Sequence, residues 1–418
     1  MPVNDKKYPY LPALVSLAVL YFMMGFITCL NDTLVPFFKK GFNLSYADSS
    51  LVQFYFFLTY GLMSIPAGRI VGKIGYQKGM VLGFLIAAVG ALLFLPASVF
   101  HQYSLFLAAL FTLAIGIVLL QVAANPYITI LGSPETASSR LALIQAVGSV
   151  GTTVAPLFGA YFILSGLEKS HISSNTVRLP YLGIAGLLLV IAVIVFYLKL
   201  PNLKVGNEPG VNVFVRNKGI FSFRNLNFGI LGIFAYVGAE VSIGTFLTNY
   251  ISETLSTSET SANRFVAFYW GGMLVFRFLG SFILKFIKPS AILASGAILA
   301  VLFILISINT SGYTAVWFMI AVGLCNSVMF AIIFSLAVRG LGNYTTQASG
   351  LLSTAIVGGA VISFLVGVLK DHTTWYVAFM IPVACYLYLL YYGINGYRST
   401  QTVKTTTRVG ISQVNLQV

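Results

Sequence analysis

The chain has 418 residues, of which 58% are hydrophobic and 8% charged, and it carries a formal net charge of +14. A soluble globular chain has about 25% charged residues, so a water-soluble fold is excluded and the bilayer is the expected solvent. The basic excess does not point to nucleic acid, because it sits mostly in connections on one side of the predicted topology.

Apolar stretches long enough for the roughly 20 residues that a transmembrane helix needs predict spans over 11–38, 47–70, 79–99, 104–131, 140–165 and 180–200. After a polar stretch they resume over 225–251, 263–285, 289–308, 313–338, 346–369 and 374–396. The first run is too long for a signal-peptide core and no small-residue cleavage pattern follows it, so it is read as a retained helix. The stretch 201–224 contains Gly206, Pro209, Gly210, Asn212 and Asn217 and reads as a cytoplasmic linker. It separates an N-terminal half, 1–200, from a C-terminal half, 225–396, and a tail, 397–418, follows. Lys73, Lys78, Arg140, Lys204, Arg216, Lys285 and Arg339 then fall on one side, against Lys39, Lys169, Arg178 and Arg264 on the other. By the positive-inside rule both termini are cytoplasmic.

The informative residues are the polar ones inside the oil. Ten acids occur in the chain, and most lie in or beside predicted loops; Asp32 and Glu240 are embedded in apolar segments. A charge at bilayer depth is costly and commonly marks an ion or substrate pathway. Asn31 and Asp32 therefore form a candidate cation-coupling site, the alternative being a helix-end acid paired with Lys39 or Lys40. Gln121 and Asn125 lie four apart and share a helix face, where their donors and acceptors suit hydroxyl groups; Pro126 beside them tends to kink the helix. Amides in such positions can equally serve to tie helices together.

In the second half Glu240 could bind substrate, titrate or neutralise Arg277, and Asn249 and Asn326 are further candidate substrate amides. Phe54, Tyr55, Tyr236, Tyr269 and Trp270 could offer apolar faces to a ring, while Tyr386, Tyr388, Tyr391 and Tyr392 read as an interfacial belt. Cys29, Cys325 and Cys385 lie within spans as small apolar fillers. His101, His171 and His372 fall in loops without partners at ligand spacing, so neither a metal site nor a catalytic cluster is predicted and the chain is not read as an enzyme.

The halves repeat each other at an offset of roughly 210 residues. Gly68-Arg69-Ile70-Val71-Gly72-Lys73-Ile74-Gly75 is echoed by Gly280-Ser281-Phe282-Ile283-Leu284-Lys285-Phe286-Ile287, and Ala137-Ser138-Ser139-Arg140-Leu141 by Gln347-Ala348-Ser349-Gly350-Leu351, with Gly148 and Gly358 following. Parallel six-helix repeats with substrate bound between them are the layout of the major facilitator superfamily. The segment from Gly68 through Gly72, Lys73 and Gly75 to Lys78 resembles that family's gating-loop motif, with Gly72 where many members have an acid.

Four longer segments carry a narrower likeness. Gly25-Phe26-Ile27-Thr28-Cys29-Leu30-Asn31-Asp32-Thr33-Leu34-Val35-Pro36, Gln121-Val122-Ala123-Ala124-Asn125-Pro126-Tyr127, Tyr236-Val237-Gly238-Ala239-Glu240-Val241-Ser242-Ile243-Gly244 and Ala355-Ile356-Val357-Gly358-Gly359-Ala360 resemble the bacterial fucose and glucose/galactose cation symporters. The resemblance implies an all-α membrane fold of twelve helices in two six-helix halves related by pseudo-two-fold symmetry. It also implies a monomeric inner-membrane carrier for a neutral sugar, with no cofactor beyond the coupling ion. Asp32 would hold that ion and Gln145 would contact sugar hydroxyls. The fucose branch has a glutamate where Gln121 stands; a glutamine cannot release a proton, so the chain is more like the glucose/galactose branch and proton and sodium both stay open. Family members often carry a proline where Ala331 stands, which predicts a straighter tenth helix. Alternatives are an uncoupled facilitator, or a symporter for fucose, an amino sugar or another neutral polyol.

Overall fold

The computed structural model describes residues 10–42, 46–162, 177–198, 200, 219–257 and 259–398. Among these no strand occurs. The expected linker, apart from its last six residues, and the tail beyond Arg398 lie outside the described residues.

In the first part of the chain the helices are α1 (Tyr10–Gly41), α2 (Tyr46–Ile74), α3 (Tyr76–Leu92), α4 (Phe94–Phe100), α5 (Tyr103–Ile130), α6 (Ala137–Phe162) and α7 (Arg178–Tyr197). The second part contains α8 (Arg224–Leu255), α9 (Glu259–Ile283), α10 (Pro289–Asn309), α11 (Gly312–Asn326), α12 (Met329–Val338), α13 (Thr345–Thr354), α14 (Gly358–His372), α15 (Trp375–Ala378) and α16 (Met380–Tyr391). The pairs α3–α4, α11–α12, α13–α14 and α15–α16 each lie within one candidate span. The described helices thus make six rods in each part, and nine helical segments among the described residues are long and apolar enough to cross a bilayer. The chain divides into two compact units, Met1–Phe56 with Ile70–Lys204, and Phe57–Arg69 with Val205–Val418.

In the first unit α1 packs along α6, and α3 lies against both α5 and α7. Lipid tails are as apolar as leucine, so helices in a bilayer associate through close packing and interhelical hydrogen bonds rather than through hydrophobic expulsion. Glycine makes the close packing possible. A side chain at Gly148 on α6 would meet the Tyr21 carbonyl of α1 at 3.1 Å. Side chains from neighbouring helices then close the helix ends, whose last carbonyls have no partner within the helix. The Gln77 amide donates to the carbonyls of Val195 (2.8 Å) and Leu198 (2.7 Å) at the end of α7. Arg140 donates to Ile128, Thr129 and Ser133 at the end of α5.

The second unit repeats the scheme. The central α8 packs on α9, α12, α14 and α16, and a side chain at Gly358 on α14 would meet the Phe234 carbonyl of α8 at 2.2 Å. Tyr21 facing Gly148 and Phe234 facing Gly358, about 210 residues apart, are the same contact in two copies of one repeat. Asn225 plays the part of Arg140, donating to the carbonyls of Ala337 (2.9 Å) and Arg339 (3.0 Å) at the end of α12. The Phe57–Arg69 stretch of α2 belongs to this unit, where a side chain at Gly68 would meet the Gly350 Cα at 3.3 Å.

Two expectations need correction. The tenth span is not a straight helix: it breaks between α11 and α12 at Ser327–Val328 although Ala331 has replaced the proline. The freed carbonyls find donors, with Tyr236 donating to Asn326 O at 3.0 Å and Arg277 Nε to Ser327 O at 2.9 Å, which is how a bilayer helix tolerates a break. Tyr386 and Tyr392 are not belt residues. Both are fully buried, and their hydroxyls bond to Asn326 and Asn225 respectively, whereas Tyr391 is exposed.

Candidate functional site

Each unit contains a set of polar side chains at the level of its packed helices. In the first unit, α5 runs without interruption through Pro126 and carries Gln121 and Asn125 one turn apart. Asn125 is 0% exposed. Its Oδ1 accepts a hydrogen bond from the Tyr21 hydroxyl of α1, while its Nδ2 has no partner among the described residues, and neither has the buried Oε1 of Gln121. Leaving a buried polar atom unpaired costs about 1–3 kcal/mol, and native structures leave few. Here a donor and an acceptor stand open side by side, as they would at a site that awaits a polar, uncharged group.

Gln145 is half-buried on the adjoining α6, and its carbonyl accepts the Ser149 hydroxyl at 3.1 Å. Asn31 and Asp32 lie on α1, and their side chains fall outside the described residues. Asp32 follows Tyr21 by eleven residues, three helical turns and about 16 Å of rise, so the two positions share one stripe of α1.

The second unit is built differently. Glu240 on α8 faces Arg277 on α9, with Oε1 3.6 Å from a guanidinium nitrogen and side-chain exposures of 13% and 19%. Arg277 thus both neutralises Glu240 and caps the α11–α12 break. Asn326, expected among the substrate amides, is 0% exposed with both ends of its amide in use. Its Nδ2 donates to the Tyr269 hydroxyl at 3.0 Å and its Oδ1 accepts from Tyr386 at 2.7 Å. The Tyr269 hydroxyl in turn donates to the Glu240 carbonyl at 3.3 Å. Asn249 is exposed near the end of α8, away from this network. Tyr236 and Tyr269, expected as candidate ring platforms, are buried within it, while Trp270 is 46% exposed.

Of the loop-motif residues, Gly68, Gly72 and Lys73 lie in the last two turns of α2, Gly75 joins it to α3, and Lys78 lies in the first turn of α3. Gly75 has φ +87° and begins α3, a backbone conformation that disfavours any side chain. Gly72, Lys73 and Lys78 are exposed and Gly68 is buried. Tyr21 escaped the sequence reading. Its one available signal was its place on the stripe that carries Asp32.

A model of the Major Facilitator Superfamily matches residues 17–364. The chain belongs to the major facilitator superfamily. A glucose/galactose transporter of Brucella abortus is 47% identical over 400 residues, covering 95% of this chain and 96% of that one. An L-fucose-proton symporter of Escherichia coli is 30% identical over 411 residues, with 90% and 91% covered. Among solved structures, the major facilitator transporter FucP in its outward conformation superposes with a TM-score of 0.82 at 27% identity, covering 92% of this chain and 99% of that one. The family's members are transporters, so the helices described above form a membrane-embedded carrier of the major facilitator fold, within the group that holds these sugar transporters.

Proposed function

We propose that this facilitator takes up a neutral hexose of the glucose/galactose kind in symport with a cation, the proton, through alternating access. The observation that carries the reading is the open donor–acceptor pair of Gln121 and Asn125, one turn apart on α5. A sugar hydroxyl donates and accepts at once and answers both atoms, whereas a phosphate or dicarboxylate would call for bases. Arg277 has its charge compensated by Glu240 before any anion arrives. Gln121, Asn125 and Gln145 then contact the sugar and Asn31 and Asp32 hold the ion. The fucose relative is named for its proton, which favours the proton here; of the two acids embedded in apolar segments, Asp32 remains for it, because Glu240 is paired with Arg277, and Gln121 cannot titrate. Residues 1–200 and 225–396 act as the two moving halves, with the linker 201–224, the tail 397–418 and both termini on the cytoplasmic side of a bacterial inner membrane, where the basic residues concentrate.

Uptake of labelled glucose, galactose and fucose into proteoliposomes, under separate proton and sodium gradients, tests this reading. The expected result is accumulation of a hexose driven by the proton gradient without sodium, abolished in Asp32→Asn with exchange retained. Uphill uptake by Asp32→Asn at the wild-type rate refutes the coupling role, and accumulation that requires sodium refutes the proton.

A further inference from the structure

The open polarity of the first unit depends on a residue outside the predicted site. The Asn125 amide has two ends, and which end stays open is decided by the group that occupies the other. Tyr21 occupies the oxygen. The tyrosine is 6% exposed, and its own backbone is held where the glycine at 148 lets α6 close on its carbonyl. With Oδ1 taken, Asn125 presents N–H, and Gln121 one turn away presents a bare carbonyl oxygen. Side chains at this spacing have Cβ atoms about 5–6 Å apart, so one oxygen atom between them can receive the N–H and give its own proton to the carbonyl. A carboxylate has no proton for Gln121, and an ammonium has no lone pair for Asn125.

We propose that Tyr21 is a positioning residue that sets the polarity of the Gln121–Asn125 pair, so that the pair accepts one neutral hydroxyl. Without the tyrosine hydroxyl the Asn125 amide is free to turn and present oxygen, and two acceptors then compete for a single proton. The repeat supplies an internal comparison: Phe234 makes the equivalent backbone contact in the second unit without a hydroxyl, and among the described residues the buried atoms unpaired in that unit, on Ser64, Asn225, Ser353 and Ser363, include no amide donor and acceptor one helical turn apart. This inference rests on the sugar-transport reading above. The hydroxyl could belong to the sugar or to a bound water, and the two sources are told apart by where the energy is lost.

The test measures equilibrium binding of glucose, galactose and their monodeoxy analogues to purified full-length protein, for the wild type, Tyr21→Phe, Asn125→Leu and the double variant. In the wild type one deoxy analogue should bind about tenfold or more weaker than its parent, and Tyr21→Phe should shrink that penalty to less than about threefold. In the Asn125→Leu background Tyr21→Phe should change affinity by less than about twofold, since the group it positions is gone. A penalty that survives unchanged in Tyr21→Phe shows that the sugar hydroxyl is read elsewhere, and the absence of any deoxy penalty in the wild type assigns the hydroxyl to water; either result overturns the proposal. So does an equal loss of affinity from Tyr21→Phe in both backgrounds, which marks Tyr21 as packing. Absence of hexose binding to the wild type is a separate outcome: it overturns the transport reading, and the role of Tyr21 falls with it.

Discussion

The two units share a scaffold and differ in what they do with their polar groups. Both cross a pair of helices at a glycine, Gly148 under Tyr21 and Gly358 under Phe234, and both close a helix end with a side chain from elsewhere, Arg140 in one and Asn225 in the other. In the second unit the charges of Glu240 and Arg277 cancel and the amide of Asn326 is saturated by two tyrosines. In the first, a glutamine oxygen and an asparagine nitrogen are buried with nothing to bond. Among the described residues, single buried atoms stay unpaired in both units, on Tyr181 in the first and on Ser64, Asn225, Ser353 and Ser363 in the second; what distinguishes the first is an open amide donor and an open amide acceptor one helical turn apart on α5.

The contrast can be broken most forcefully at Arg277. Arg277→Met leaves the Glu240 carboxylate uncompensated and the Ser327 carbonyl without its donor, a change expected to destabilise by about 3–5 kcal/mol. Glu240→Gln combined with Arg277→Met should recover most of that loss, as read from thermal unfolding in detergent. A double variant no more stable than Arg277→Met would show that Arg277 acts through its bond to the helix break instead of through its charge. A smaller and opposite effect is expected from Gln121→Leu, which removes an unpaired polar atom. It should leave the unfolding midpoint unchanged or slightly higher while weakening hexose binding about tenfold. The smallest effect belongs to Tyr386→Phe, which deletes one interhelical hydrogen bond worth about 0.6 kcal/mol on average in a bilayer and should leave sugar affinity untouched. A clear loss of sugar affinity in Tyr386→Phe would move the binding site toward the second unit.

Much of this was legible in the chain itself, because apolar length and the repeat depend on composition alone. The spans, the two-part organisation and the shared face of Gln121 and Asn125 follow from hydropathy and the 3.6-residue period. Other features depend on tertiary partners that no local pattern reveals. The break at Ser327–Val328 carries no proline or glycine to announce it and is made tolerable by Tyr236 and Arg277 from two other helices. Tyr386 looks interfacial by position, yet it is buried because Asn326 needs its hydroxyl. Asn326 and Asn125 are both asparagines inside a span, and the distinction between them is whether neighbours satisfy the whole amide or half of it.

The most direct test of the account compares hexose affinity in two purified variants of similar stability, Gln121→Leu in the first unit and Glu240→Gln/Arg277→Met in the second. The open-amide account predicts that the first variant binds about tenfold or more weaker than the wild type while the second stays within about threefold. Wild-type affinity in Gln121→Leu together with loss of binding in the paired variant would contradict it.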